Sequence, residues 1–215
     1  MSRSVVFDLD GTLLDSALDI LSALERAALR EGLRGLGTLT RAMIGPPVTE
    51  ILERWGPPMS DEERGRLVAA FRYEYDSSLM TATRPYAGAD ACISSLRSKG
   101  MALYVATNKP AAPTSRLLDQ WFPEAFTGYA TIDSIAGRRL TKLQMLTLLV
   151  ERHAIDPRGS VMVGDSAADL RAGRSMGWRT VAALHGYGTP AELEAEAPDW
   201  RVQNLAELPA ILERT

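Results

Sequence analysis

Two carboxylates at the end of an apolar run are the most chemically informative feature of the sequence. Asp8 directly follows the apolar residues Val5–Phe7, Asp10 lies two residues further on, and Gly11 and Thr12 come next. The apolar run predicts a buried strand that ends at or near Asp8, and Gly11 then allows the chain to turn sharply. A carboxylate at a strand end can act as a nucleophile, with a neighbouring carboxylate as acid and base. An acidic surface turn is the alternative, and this segment alone does not exclude it.

A second polar segment follows another apolar run. Thr107 and Asn108 come directly after Ala102–Ala106, so a hydroxyl, an amide and an exposed N–H would lie at a strand end. Groups of these types bind phosphate oxygens. An ordinary turn or helix cap before Pro110 explains these residues equally well.

A third segment carries two more carboxylates. Asp165 comes after the apolar run Ser160–Val163, and Asp169 lies four residues later, one turn along a predicted helix. Carboxylates without histidine or cysteine suit a hard cation such as Mg²⁺. The alternative is a helix N-terminus whose acidic first turn complements the helix dipole.

These three segments are more informative together than singly. The carboxyl ends of parallel strands meet at one edge of a sheet, where open α/β proteins bind ligands. The four aspartates would therefore share one crevice, which requires a bound cation or shifted pKa values. Mg²⁺ together with a bound phosphate group resolves this charge problem.

A phosphate site among carboxylates also needs a fixed positive charge. Lys142 lies at the start of the predicted helix before Ser160–Val163, and lysine binds phosphate as a point charge. Taken alone, a lysine at this place is usually solvated. Lys109, Arg138 and Arg139 are rival candidates for the role.

The elements around these segments alternate between strand and helix. The predicted strands are Ser4–Asp8, Ala102–Ala106, Gly128–Ile132, Ser160–Val163, Arg179–Leu184 and Trp200–Val202, and the helices between them include Ala89–Lys99, Leu143–His153 and Ala167–Met176. This alternation predicts an α/β fold, a Rossmann-like parallel sheet with helices on both faces.

Residues 16–85 depart from this alternation, because they show helical periodicity and no good strand. Ser60 and Glu63 form a capping-box pattern that predicts the start of one of these helices. We therefore expect residues 1–15 and 86–215 to form the α/β core domain, and residues 16–85 to form a small all-helical cap inserted after the first strand.

A glycine and two prolines in Ile44–Pro47 interrupt the helical pattern of this insertion. These residue types predict a stiff loop. It either closes over the crevice and touches the non-phosphate end of a substrate, or it is a plain interhelical turn.

Composition restricts the possible partners. The 215 residues carry a net charge of −3, which is not the basic footprint of a nucleic-acid-binding protein. Cys92 is the single cysteine, so no intrachain disulfide can form. No apolar run is long enough to cross a bilayer, and the N-terminal apolar run is too short for a signal peptide. We expect a cytoplasmic protein, monomeric or homodimeric, with no nucleic-acid or membrane partner.

The motifs resemble, in order and spacing, those of the haloacid dehalogenase-like hydrolase superfamily. The matching segments are Asp8-x-Asp10-Gly11-Thr12, Thr107-Asn108, Lys142 and Gly164-Asp165-x-x-x-Asp169. The helical insertion resembles the cap that members of this superfamily carry between the first two motifs.

Shorter segments are most similar to the phosphoglycolate phosphatase branch of this superfamily. They are Leu13–Ser16, Ile44–Pro47 and Thr107–Lys109. One position departs from the pattern, because the lysine motif in these branches usually reads Lys-Pro and this chain has Lys142-Leu143.

The resemblance implies a catalytic role for the first motif and a phosphate-binding role for the second. Asp8 would be the nucleophile that forms an aspartyl-phosphate, and Asp10 would protonate the leaving alcohol and then activate water. The phosphoryl group would be bound by Gly11, Thr107 and Asn108. The implied activity is hydrolysis of a small phosphate monoester similar to phosphoglycolate.

The resemblance also implies where positive charge enters the site. Lys142 would neutralise the nucleophile and the phosphate. Mg²⁺ would bind to Asp8, the Asp10 carbonyl and Asp165. Asp169 would be a further ligand or would support the ligands.

Two other functions stay open at this point. A phosphomutase similar to β-phosphoglucomutase uses the same residues and differs in how its cap excludes water. A non-enzymatic receiver-like module also places carboxylates, a threonine, a lysine and Mg²⁺ around a phospho-accepting aspartate. The acid at Asp10 and the helical insertion favour an enzyme over a receiver.

Overall fold

The structure, a computed structural model, describes residues 3–34 and 36–214. Its strands are β1 (Ser4–Phe7), β2 (Leu14–Asp15), β3 (Arg84–Pro85), β4 (Ala102–Thr107), β5 (Gly128–Thr131), β6 (Val161–Gly164), β7 (Arg179–Ala183) and β8 (Trp200–Val202). Its helices are α1 (Ala17–Arg30), α2 (Val48–Trp55), α3 (Asp61–Asp76), α4 (Ala89–Ser98), α5 (Ala111–Trp121), α6 (Lys142–His153), α7 (Ala167–Ser175), α8 (Pro190–Ala195) and α9 (Leu208–Glu213). Short 3₁₀ helices cover Arg41–Met43 and Leu205–Glu207.

Six of these strands form one sheet in the order β5-β4-β1-β6-β7-β8. Every pairing within it is parallel. β1 therefore lies between β4 and β6, and the carboxyl ends of these three strands are neighbours at one edge. This arrangement confirms the predicted α/β fold with a parallel sheet.

Apolar side chains cover both faces of the sheet. Val6 belongs to a buried cluster with Leu146 of α6 and Met162 of β6. Val5 and Phe7 point to the opposite face, because strand side chains alternate, and both are fully buried. Burial on both faces explains why the strands are near-continuous apolar runs rather than alternating patterns.

The strand ends differ slightly from the predicted bounds. β4 extends by one residue to Thr107, which pairs with Thr131, and β6 includes Gly164, which pairs with Ala182. Backbone pairing thus continues for one residue beyond the end of each apolar run. β1 ends at Phe7, so Asp8 is the first residue beyond it.

The chain divides into two compact units. One contains the residues up to Asp15 and those from Pro85 onward, and the other is Ser16–Arg84. Within the second unit, α1 packs against α3, and the Asp19 carboxylate accepts hydrogen bonds from the backbone N–H groups of Ala82 and Thr83. The predicted capping box at the start of α3 is present, with Ser60 and Glu63 hydrogen bonded to each other's backbone.

None of the helices in residues 3–34 and 36–214 is both long enough and apolar enough to cross a membrane.

Cys92 is buried on α4, and burial raises the pKa of its thiol to about 12. The thiol therefore packs as a small apolar group.

Candidate active site

The ends of β1, β4 and β6 bring the predicted motifs together. Asp8 follows β1, and its N–H donates to the Val163 carbonyl of β6 over 2.9 Å. Thr107 is the last residue of β4, and Asp165 follows β6. Asp8, Thr107 and Asp165 are all at least 94% buried, so the three polar side chains lie beneath the surface of the sheet edge.

Lys142 is the central positive charge of this edge. Its Nζ lies 3.0 Å from Asp8 Oδ1 and 2.8 Å from Asp169 Oδ1, and it donates to the Ala106 carbonyl over 2.8 Å. These partners match the three N–H donors of an ammonium group. Burial alone would lower the pKa of Lys142, but the carboxylates of Asp169 and Asp8 outweigh it and raise that pKa above its ordinary value.

The start of α6 explains how Lys142 reaches this position. Thr141 caps the helix, and its side chain and that of Gln144 form a capping box. Lys142 is the first residue of the helix and Leu143 the second. The side-chain cap begins the helix here, in a sequence that has leucine where the family pattern usually has proline.

Asp169 has a second set of partners besides Lys142. Its Oδ2 accepts from the N–H and the hydroxyl of Ser166, over 3.1 Å and 2.6 Å. These bonds are part of a capping box that begins α7. The helix-cap interpretation of this motif is therefore correct, and the same carboxylate also pairs with the buried lysine through Oδ1.

Both carboxylate oxygens of Asp165 accept hydrogen bonds. The Thr12 hydroxyl donates to Oδ1 and the Tyr187 N–H donates to Oδ2, each over 2.8 Å. Burial, reinforced by the charge of Asp169, raises the pKa of Asp165 to about 7, although these two hydrogen bonds oppose the shift.

Asp10 pairs with a different lysine. Its Oδ2 lies 3.0 Å from Lys109 Nζ, and the Lys109 N–H donates to the Thr107 hydroxyl over 3.1 Å. From the sequence, Lys109 is only an alternative to Lys142 for the positive charge of the site, yet the side chain of Lys109 is buried beside Asp10. Arg138 and Arg139, the other rivals, are exposed residues that follow β5.

The remaining predicted phosphate-binding residues also lie near these strand ends. Gly11 has φ of +88°, and a Cβ atom there would come within 2.1 Å of Asp165 Oδ2. A glycine is therefore required both by the backbone conformation and by the close approach of Asp165. Asn108 follows β4 and is half-buried.

Three carboxylates are close enough to share a metal ion. Asp8, Asp165 and Asp169 each have an oxygen within 4.8 Å of the others. Burial raises the pKa of Asp8 well above its usual value; Lys142 opposes this shift, and the charges of Asp169 and Asp165 add to it. A divalent cation in this cluster would remove the cost of ionising these buried acids, so the donor set fits Mg²⁺.

Charge counting supports the same conclusion. Asp8, Asp165 and Asp169 carry three negative charges when ionised, and Lys142, which pairs with Asp8 and Asp169, carries one positive charge. The remaining two negative charges equal the charge of one divalent cation. The Asp10 carboxylate pairs with Lys109, and the binding of the metal by the Asp10 carbonyl stays a prediction.

Comparison with known proteins identifies the family of the chain. Residues 5–183 match the family described as haloacid dehalogenase-like hydrolase. The chain is 31% identical to a phosphoglycolate phosphatase of Aquifex aeolicus, over 98% of this chain and 97% of that one. It is 30% identical to a phosphoglycolate phosphatase of Xylella fastidiosa, over 99% and 92% of the two chains.

A solved structure shows the same fold. A predicted phosphatase from Clostridium acetobutylicum superposes with a TM-score of 0.88 at 23% identity, over 100% of both chains. The match to the family model and the near-complete overlap with its named phosphatases lead to one conclusion. The chain belongs to the haloacid dehalogenase-like hydrolases and is a phosphatase of that family.

Proposed function

We propose that this phosphatase hydrolyses a small phosphate monoester, phosphoglycolate or a close relative, with Mg²⁺ and through an aspartyl-phosphate on Asp8. The observation that carries the proposal is that one oxygen of the Asp8 carboxylate, Oδ1, is fixed by two contacts. Oδ1 lies 3.0 Å from the Lys142 ammonium and accepts from the Leu9 N–H over 2.7 Å. These two contacts orient the carboxylate and leave Oδ2 as the atom that attacks phosphorus.

In the first step, Asp8 Oδ2 forms a bond to phosphorus and the bond between phosphorus and the ester oxygen breaks. Asp10 donates a proton to the departing alcohol oxygen. Lys142 reduces the repulsion between the anionic nucleophile and the anionic phosphate, since its charge lies within 3.0 Å of Asp8. The products of this step are the alcohol and the Asp8 acyl phosphate.

In the second step, a water molecule attacks the phosphorus of the acyl phosphate. Asp10, now deprotonated, takes the proton from this water, and the bond between phosphorus and Asp8 breaks. Inorganic phosphate leaves and Asp8 returns as a carboxylate. Asp10 thus ends the cycle protonated, ready for the next alcohol to leave.

Mg²⁺ would be held by Asp8, Asp165 and the Asp10 carbonyl, with Asp169 supporting them. Bound there, the ion would neutralise phosphate oxygens and stabilise charge that develops at phosphorus. The buried carboxylates within 4.8 Å of one another support this assignment. Their raised pKa values support it as well.

The phosphate-binding residues would act in two ways. Thr107, Asn108 and the backbone at Gly11 would donate hydrogen bonds to phosphate oxygens. Lys142 already donates to the Ala106 carbonyl and forms ion pairs with the carboxylates of Asp8 and Asp169, so its contribution to phosphate binding is its charge rather than a new hydrogen bond. Lys109 would add a second positive charge beside Asp10.

We propose further that Ser16–Arg84 is a cap that selects the alcohol part of the substrate. This segment is a compact helical unit, inserted between the Asp8 and Thr107 motifs. Phosphoglycolate is the first substrate to test, because the relatives that match along the whole chain are named for it.

A phosphate-release screen tests the proposal. The purified chain is assayed with Mg²⁺ on phosphoglycolate, other phosphorylated acids, sugar phosphates, nucleotides and pyrophosphate. We expect phosphoglycolate to give the highest kcat/KM, and Asp8→Asn to abolish turnover. The exposed Asp90 of α4 provides a matched control, and Asp90→Asn is expected to behave as the wild type.

Two results would overturn the proposal. Full activity after exhaustive chelation would exclude the Mg²⁺ requirement. Conversion of one sugar phosphate into another without net release of phosphate would identify a phosphomutase instead.

A further inference from the structure

A loop after β7 is packed tightly around Asp165. It consists of residues 185–188, His185-Gly186-Tyr187-Gly188, and we call it the 185–188 loop. A Cβ atom on Gly186 would lie 2.2 Å from Asp165 Cβ, and one on Gly188 would lie 2.0 Å from the Asp165 carbonyl oxygen. Only glycine lets the backbone approach this closely, so the loop encloses Asp165 from two sides.

Tyr187 connects this loop to two acidic residues. Its N–H donates to Asp165 Oδ2 over 2.8 Å. Its hydroxyl donates to Asp15 Oδ1 over 3.2 Å. Asp15 is the last residue of the first unit before the chain enters Ser16–Arg84, so this hydroxyl ties the loop to a distant part of the sequence.

His185 contacts Thr12, the second hydrogen-bond partner of Asp165. Its Nε2 lies 3.0 Å from the Thr12 carbonyl oxygen, and the Thr12 hydroxyl donates to Asp165 Oδ1 over 2.8 Å. The His185 ring lies against the Tyr86 ring, with centroids 4.5 Å apart. The loop therefore supplies one hydrogen bond of the Asp165 carboxylate directly and contacts Thr12, the donor of the other.

We propose that Tyr187 is a positioning residue, which holds Asp165 ready for the metal ion through the 185–188 loop and its bond to Asp15. The inference rests on the proposed Mg²⁺ function of the site. Partners of metal ligands fix the ligand's orientation before the ion binds, and this raises metal affinity. Loss of the Tyr187–Asp15 bond would loosen the loop, so that binding of the ion must then order it.

The test is direct measurement of Mg²⁺ binding by calorimetry, without substrate. Tyr187→Phe removes the hydroxyl and keeps the backbone N–H that reaches Asp165. We expect its Mg²⁺ dissociation constant to rise about 3- to 10-fold, the effect of one hydrogen bond. Asp15→Ala is expected to give the same rise, whereas Asp15→Asn keeps an acceptor and is expected to remain close to the wild type.

A double variant tests whether the Tyr187–Asp15 bond itself is the cause, and a control variant separates positioning from a general loss of stability. Tyr187→Phe with Asp15→Ala is expected to bind Mg²⁺ no more weakly than either single variant, because both remove one bond. Tyr104→Phe is the matched control, since it removes the hydroxyl of a buried tyrosine on β4. It is expected to change the melting temperature but not Mg²⁺ affinity.

The outcomes distinguish this proposal from the function on which it rests. If the wild type binds Mg²⁺ and Tyr187→Phe binds it equally well, Tyr187 does not position the ligand and the proposal is overturned. If the effects of Tyr187→Phe and Asp15→Ala add fully, the bond between them is not the cause and the proposal is likewise overturned. If the wild type itself does not bind Mg²⁺, the proposed metal site fails, and this inference fails with it.

Discussion

The Lys109 ammonium lies 3.0 Å from the Asp10 carboxylate. The side chain of Lys109 is 3% exposed and that of Asp10 is 14% exposed, so solvent screens this ion pair little. Asp10 is the proposed acid and base, and its orientation decides whether it can reach the leaving oxygen and the attacking water. Lys109 is thus placed to orient the proposed proton-transfer group, and Lys142 is placed to orient the proposed nucleophile.

Replacement of Lys109 by methionine is expected to lower kcat by up to about 10²-fold, the loss that follows when a reacting group is misplaced. The variant leaves the Asp10 carboxylate without its cation and removes a positive charge from the phosphate crevice. Steady-state kinetics on phosphoglycolate with Mg²⁺ measures the effect. Arg138→Met, which removes an exposed cation after β5, serves as the control. An unchanged kcat for Lys109→Met would show that Asp10 needs no such partner.

Replacement of Lys142 by methionine is expected to destabilise the metal-free protein by about 3–5 kcal/mol, the usual cost of removing one partner from a buried ion pair. The carboxylates of Asp8 and Asp169 would then be buried without their cation. Denaturant unfolding with a chelator present measures this loss. Lys99→Met breaks the more exposed pair with Glu213 and is expected to cost no more than about 1 kcal/mol. Equal losses in the two variants would contradict the central role of Lys142.

Mg²⁺ is expected to stabilise the protein more at pH 8 than at pH 5. The folded pKa of Asp165 is raised to about 7, whereas an unfolded aspartate titrates near 3.9. A raised folded pKa contributes stability that is present below about pH 4 and is lost as the pH rises through about 7. Because the metal binds the ionised carboxylate, its stabilising effect grows over this same range.

Thermal melts with and without Mg²⁺ at the two pH values check this expectation. Asp165→Asn cannot ionise at this position and is expected to show a smaller difference between pH 5 and pH 8, of which the remainder comes from Asp8, whose pKa is also raised. An equal rise in melting temperature at both pH values in the wild type would show that Asp165 does not couple metal binding to pH.

Substitution of Gly45 is expected to lower kcat/KM for the true substrate more than for a generic aryl phosphate. Gly45 lies between Arg41–Met43 and α2 with φ of +115°, a conformation that residues with a side chain rarely adopt. Gly45→Val would therefore reshape the loop Ile44–Pro47, and remote contacts affect turnover of the substrate that makes them. Gly65→Ala is the control, because a Cβ atom added at this position of α3 would meet no atom from elsewhere in the described part of the chain within 4 Å. Equal effects on both substrates would make the loop a simple connector.

The sequence predicts the strand ends of this site well, because each motif follows an apolar run. Burial on both faces makes these runs recognisable, and parallel pairing then brings Asp8, Thr107 and Asp165 to one edge. The sequence places Lys142 at a helix start before β6, but the pattern alone leaves another lysine and two arginines as rivals, and only the family resemblance favours Lys142.

Two features could not be predicted from the sequence, for physical reasons. Whether the side chain of Lys109 or that of an arginine points into the site depends on the backbone conformation after β4, where the Lys109 N–H donates to the Thr107 hydroxyl. The hydrogen bond from Tyr187 to Asp165 comes from a backbone N–H, which any residue except proline could supply. The glycines on either side of Tyr187 were the available signal, but they do not say which residue the loop approaches.

Detection of the phosphoryl group on Asp8 tests the central claim most directly. An aryl phosphate whose leaving group needs no proton makes the first step independent of Asp10, and Asp10→Asn still lacks the base for the second step. Its acyl phosphate is therefore expected to break down about 10²- to 10⁴-fold more slowly and to accumulate. The variant is mixed with Mg²⁺ and this aryl phosphate, quenched in acid and digested, and the peptides are mapped by mass. We predict one added phosphoryl group, located on Asp8. A phosphoryl group on any other residue, or release of phosphate by this variant with no phosphorylated peptide at any time, would contradict the account.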